Sequence, residues 1–265
     1  MHKAITAISP APATLGFSGL FLASAMLIGA PLPGHAAGTF QPPAGCQLEL
    51  TVQNRGCTVS QHYRCSADTK GDQWATYFSP DGPTYEAKID AETQWLYSKN
   101  MTNGIEDQLV SGAKDPASFS TLVKTGRDDF DFWTESNNGE KLHHVGHDEL
   151  TGEKATIGGV ELERTRFDLK TYSESGELLM SRTGGQYISR AQGRFYGGTE
   201  NASDWTGAKI STDESPMRFA FPGQPGFGST TPEYDCDMQM VQAPTLPILR
   251  AGALLQSIPT AHPEG

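Results

Sequence analysis

Histidines and carboxylates crowd two nearby stretches of the chain, and these residues have the clearest chemical options. Residues 142–148 (LHHVGHD) hold three of the seven histidines. A zinc ion would need neutral imidazoles converging to roughly 2.0–2.1 Å from one point. On an extended strand His143 and His147 share a face but stand about 13 Å apart, at ~3.3 Å per residue. Gly146 and the lack of a helical apolar period argue against the helix that would bring them together. His143 and His147 are therefore the metal-ligand candidates, and the spacing itself favours histidines on a strand and its turn, with no cofactor.

The second stretch, residues 128–135 (DDFDFWTE), alternates. Phe130 and Phe132 fall on one face of a strand, and Asp129, Asp131 and Trp133 on the other. Carboxylates beside an aromatic ring suit sugar contact, or glycoside chemistry if their separation is right. An acid–base pair also needs two different environments, which alternate positions on one strand rarely supply. Asp129, Asp131 and Trp133 are thus read as a candidate binding platform on a largely solvated face, and no catalytic set is assigned. The chain has no Gly-x-Ser-x-Gly, no phosphate-binding glycine loop and no His-Glu-x-x-His.

Four cysteines complete the reactive inventory: Cys46, Cys57, Cys65 and Cys236. None forms a Cys-x-x-Cys pair, and their spacing fits no zinc module. Residues 48–53 and 58–63 read as two hairpin arms. A two-residue loop at Arg55 and Gly56 would set Cys46 directly opposite Cys65, within bridging distance. Cys57 then remains for Cys236, tying the first hairpin to the last strand. A three-residue loop would shift that register by one. A lipidated cysteine is a poorer reading of Ala44-Gly45-Cys46, because Pro43 stands where leucine is expected.

The elements that must position these groups read as antiparallel sheet. Residues 73–79 and 84–90 flank Pro80-Asp81-Gly82-Pro83, and Asn137-Asn138-Gly139 follows the alternating run, both strong turn signals. Residues 160–172 form a long strand whose alternation changes phase, which predicts a bulge near residues 164–166. Gly184-Gly185 reads as another two-residue hairpin. One helix is expected near residues 116–125, capped by Asp115-Pro116 and ended by Gly126. The expected fold is all-β, with nine to eleven mainly antiparallel strands and one or two short helices, arranged as a curved meander, roll or barrel.

The compartment is read from the first residues. After Lys3, residues 15–28 (LGFSGLFLASAMLI) are apolar and uncharged, Pro31 and Pro33 break the run, and Gly34-His35-Ala36 offers small residues at a cleavage site. A membrane span needs about 20 residues, so this run reads as an export signal. The expected organisation is a signal peptide at 1–36, a single β-rich domain at 37–242 and an irregular tail at 243–265, with no transmembrane segment in the mature form. An even cysteine count then implies two disulfides in a periplasmic or secreted protein.

The formal charge of −11 argues against nucleic acid and anionic membrane surfaces. Eight Tyr, twelve Phe and four Trp on many strands, with few helices to cover them, suggest an apolar concavity. The functional expectation is an exported, non-catalytic binding or carrier protein for a lipid-like or other apolar small molecule, or another envelope component. The alternatives are an envelope module that binds glycan or protein, and a hydrolase with dispersed catalytic residues.

Overall fold

The turn after Asn54 decides how the first hairpin closes. Gly56 (φ 67°) and Cys57 (φ 56°) both adopt left-handed backbone. The connection therefore spans residues 55–57, one more than a two-residue loop. Strands β1 (Cys46–Asn54) and β2 (Thr58–Cys65) start in the shifted register, with Asn54 opposite Thr58 and Gln53 opposite Val59. A bulge between Leu48 and Leu50 absorbs the extra residue, and Cys46 ends opposite Cys65 after all. Disulfides join Cys46 to Cys65 and Cys57 to Cys236. The expected pairing holds, although its position differs. Cys236 lies not on the last strand but in α2 (Cys236–Gln239), a helical turn that follows it.

The computed structural model describes residues 38–239. The expected leader at 1–36 and tail at 243–265 lie outside the described residues. The other strands are β3 (Gln73–Ser79), β4 (Gly82–Ile89), β5 (Trp95–Asn100), β6 (Glu106–Leu109), β7 (Arg127–Ser136), β8 (Lys141–Ile157) and β9 (Val160–Ser173). They continue with β10 (Leu178–Ser189), β11 (Arg194–Asp204), β12 (Lys209–Asp213) and β13 (Pro216–Ala220). From β1 to β12 every strand pairs antiparallel with the next, and β13 returns to the opposite edge beside β1. The result is one thirteen-stranded sheet that is not closed into a barrel. The strand count exceeds expectation partly because β6 (EDQL) and β12 (KISTD) are short and polar and carry no apolar alternation. Among the described residues, no helix is long and apolar enough to cross a membrane.

Helix α1 (Phe119–Thr125) lies between β6 and β7 and ends at Gly126 (φ 86°), as its sequence requires. Its N-cap is Ser118, not Asp115: the Ser118 hydroxyl accepts from Thr121 N–H at 3.2 Å. Asp115 is instead held extended, exchanging two backbone hydrogen bonds with Asp131. Phe119 and Leu122 point into the sheet and pack on Ile188 of β10. Burial of each such side chain contributes roughly 1.5–3 kcal/mol.

The sheet curls until distant strands meet. Arg55 N–H donates to the Ser215 carbonyl at 2.9 Å, and Glu214 N–H donates to the Gly198 carbonyl at 2.8 Å. Phe219 of β13 packs with Leu50 and Val52 of β1, Val160 and Leu162 of β9, Tyr187 and Tyr196. This explains the phase change in β9. Val160 and Leu162 face that cluster, whereas Phe167 and Leu169 face the opposite side with Phe130 and Phe132. The expected bulge at 164–166 is absent, since β9 keeps constant register with β10 from Thr171 to Glu163. The irregularities fall on its neighbours, in β8 between Leu150 and Lys154 and in the β10–β11 pairing between Gly185 and Tyr187. Gly184-Gly185 is likewise no hairpin but the middle of β10. A Cβ at Gly184 would lie 2.0 Å from the Thr199 carbonyl oxygen, so close strand approach demands glycine there.

The two disulfides close loops of very different size, with sequence separations of 19 and 179. Chain entropy assigns them roughly 3 and roughly 5 kcal/mol at most. The Cys57→Ala, Cys236→Ala double variant is expected to melt well below the Cys46→Ala, Cys65→Ala variant in parallel calorimetric scans. The reverse order would refute loop length as the main source of the difference.

Candidate functional site

Strand β7 sorts its residues by parity. Asp128, Phe130, Phe132, Thr134 and Ser136 are buried on the inner face, and Asp129, Asp131 and Trp133 lie on the outer face as expected. There Trp133 stands opposite His143, and Asp129 opposite His147. The Trp133 and His143 rings stack with centroids 4.4 Å apart. His143 Nε2 lies 2.6 Å from Asp131 Oδ1, and Lys114 Nζ donates to Asp131 Oδ2 at 2.7 Å. Arg127 forks onto both oxygens of Asp129, at 2.6 and 3.2 Å.

Both carboxyls are held below their usual range. At Asp129 the Arg127 fork outweighs partial burial, and at Asp131 partial burial is outweighed by Lys114 and His143 together. Two carboxylates that are both ionised do not make an acid–base pair. Among the described residues, no group of three or more His, Cys, Asp or Glu side chains is placed to hold a metal ion. The structure thus brings Asp131, Trp133 and His143 together and leaves His147 beside Asp129.

The inner face holds more chemistry. Strands β1 to β11 and α1 surround a cavity of ≈ 230 Å³. Its apolar part is lined by Trp95, Phe119, Leu122, Phe130, Phe132 and Phe167. Polar groups interrupt this lining at three places. Near α1, Asp128 and Asp148 face each other across β7 and β8. Burial pushes Asp128 up to about 6, against a 2.8 Å hydrogen bond from Ser118 N–H. Burial, and then the neighbouring Asp128 charge, push Asp148 up to about 7.

At the second place Arg182 lines the cavity and clamps the buried Glu200 through two hydrogen bonds of 2.8 and 2.7 Å. His144 is fully buried between Thr134 and Thr171. Burial, and then the Arg182 charge, drop its pKa to about 3, so the ring is neutral. The third place is formed by His62, Tyr77, Arg194 and Tyr196, from β2, β3 and β11.

None of these inward groups was singled out from sequence. A signal existed for Asp128, a carboxylate that shares strand parity with Phe130 and Phe132 and so must sit on the apolar face. Arg182 and Arg194 gave no comparable signal, because the glycine-rich phase changes beside them hide which way they point. Compared with known protein families, characterised proteins and solved structures, the chain matches none. The cavity geometry therefore carries the functional reading.

The raised Asp128 and Asp148 set a stability–pH relation of definite sign. Between roughly pH 4 and pH 7 the folded state holds protons that the unfolded chain has released, so stability falls as pH rises through that window. Asp148→Asn removes the more strongly shifted group. It is expected to raise the melting temperature by a few degrees at about pH 7.5 and to change it little near pH 4. A larger gain at the acidic end would contradict the assignment.

Proposed function

We propose that the chain is an exported, non-catalytic binding or carrier protein that takes up a small apolar ligand in its interior cavity. The observation that carries this reading is an apolar cavity lined by aromatic and aliphatic side chains under a curled sheet. Such a concavity with a few convergent polar groups is the usual form of a small-molecule site. The two disulfides fit an oxidising compartment. Together with the leader read at 1–36, they support a periplasmic or extracellular location. A volume of ≈ 230 Å³ lies just under the common range of roughly 300–1,000 Å³, which favours a single chain or ring system over a two-tailed lipid.

The outer face gives the glycan reading less support, because His143 already covers one face of Trp133. For hydrolysis the ionised Asp129 and Asp131 supply no acid.

The test is uptake of an environment-sensitive apolar dye, with native mass spectrometry of the purified protein. The wild type should bind the dye saturably, and Leu122→Trp, which fills the cavity, should weaken binding by at least about tenfold. Absence of uptake by the wild type, or identical uptake by folded Leu122→Trp, would refute the proposal.

A further inference from the structure

Arg194 sits at the β2–β3–β11 end of the cavity and is only 6 % exposed. Burying a guanidinium is costly unless it is paired and hydrogen-bonded. Arg182, the other arginine lining the cavity, is neutralised by its fork on Glu200, although its Nη1 is also buried without a partner. Arg194 has no such fork: its Nε is buried without a hydrogen-bond partner, and among the described residues no carboxylate forms a salt bridge with it. Its guanidinium lies 5.8 Å from the Tyr196 ring centroid, a cation–π contact that leaves Nε unsatisfied. The carboxylate that acts on it is Glu49, already engaged by Arg64 at 2.9 Å.

A second buried group at this end also lacks a partner. His62 is 2 % exposed, its Nε2 lies 2.9 Å from Ser60 Oγ, and its Nδ1 is unpartnered. Burial, and then the Arg194 charge, hold this imidazole neutral. Tyr77 also borders the cavity, within reach of the Arg194 and Glu214 charges. A cation without a salt bridge, a neutral imidazole and a phenol therefore border the same end of the cavity.

We infer that the ligand is an anionic amphiphile whose carboxylate pairs with Arg194 and His62 while its apolar part fills the cavity toward Phe130 and Phe132. The inference rests on the carrier reading above and narrows it to one ligand class. A carboxylate accepting from a planar guanidinium would satisfy the buried donor, and the apolar body would lie against the aromatic lining.

Isothermal titration with decanoate, decanol and decylamine separates the two levels. Wild type should bind decanoate at least about tenfold more tightly than decanol, and decylamine weakest. Arg194→Met should keep decanol binding and lose the preference, whereas Arg127→Gln, on the outer face beside Asp129, should keep it. Equal binding of decanoate and decanol would overturn the anionic inference and leave the carrier reading standing. Failure of all three probes to bind would count against the carrier reading itself.

If Arg194→Met does not fold, carbon-13 NMR of carboxyl-labelled decanoate on the wild type decides. A bound carboxyl that titrates below its free value supports the pairing, and one that titrates as in water overturns it.

Discussion

A sheet has two faces, and the described residues supply one seven-residue helix and one helical turn to cover them. Every strand also carries apolar side chains that water disfavours, so the sheet must supply most of its own cover. It does so by curling. The last strand crosses to the first edge, and Phe219 closes a cluster between strands that are far apart in the meander. At that seam buried apolar side chains from five strands meet. The helix covers the sheet around Ile188 through Phe119 and Leu122, and these two side chains also border the cavity.

How much could be read from residue order depends on the range of the interactions involved. The alternation of β7, the Asn137-Asn138-Gly139 turn and the helix stop at Gly126 are local, and each stands where its own neighbours put it. The Cys46–Cys65 link was reachable from hairpin register, although two offsetting irregularities, a longer turn and a bulge, restore what a simpler hairpin would give. Asp115 failed as a cap because Asp131, on the strand that follows the helix, holds its backbone extended. The phase change in β9 was visible, but its cause lies in β13, more than forty residues later in the chain.

The polar interior was the least legible part. Arginine, histidine and aspartate are statistically surface residues, and nothing adjacent to Arg194 or Asp148 in the chain says otherwise. Their inward direction is set jointly by many strands. What the interior shows instead is a division of labour among buried charges. Arg182 and Glu200 neutralise each other, and His144 discards its charge. Burial raises Asp128 to about 6 and Asp148 to about 7. Arg194 alone among these keeps a full charge with no salt-bridge partner among the described residues.

The edge at β12, unpaired among the described residues, has its own consequence. A meander that does not close leaves a row of backbone donors and acceptors able to recruit a strand from another molecule. Here that border is only five residues long, begins with Lys209, ends with Asp213 and has no large apolar side chain except Ile210. Brevity and charge make it a poor template, so the same openness that admits curvature need not lead to fibre growth.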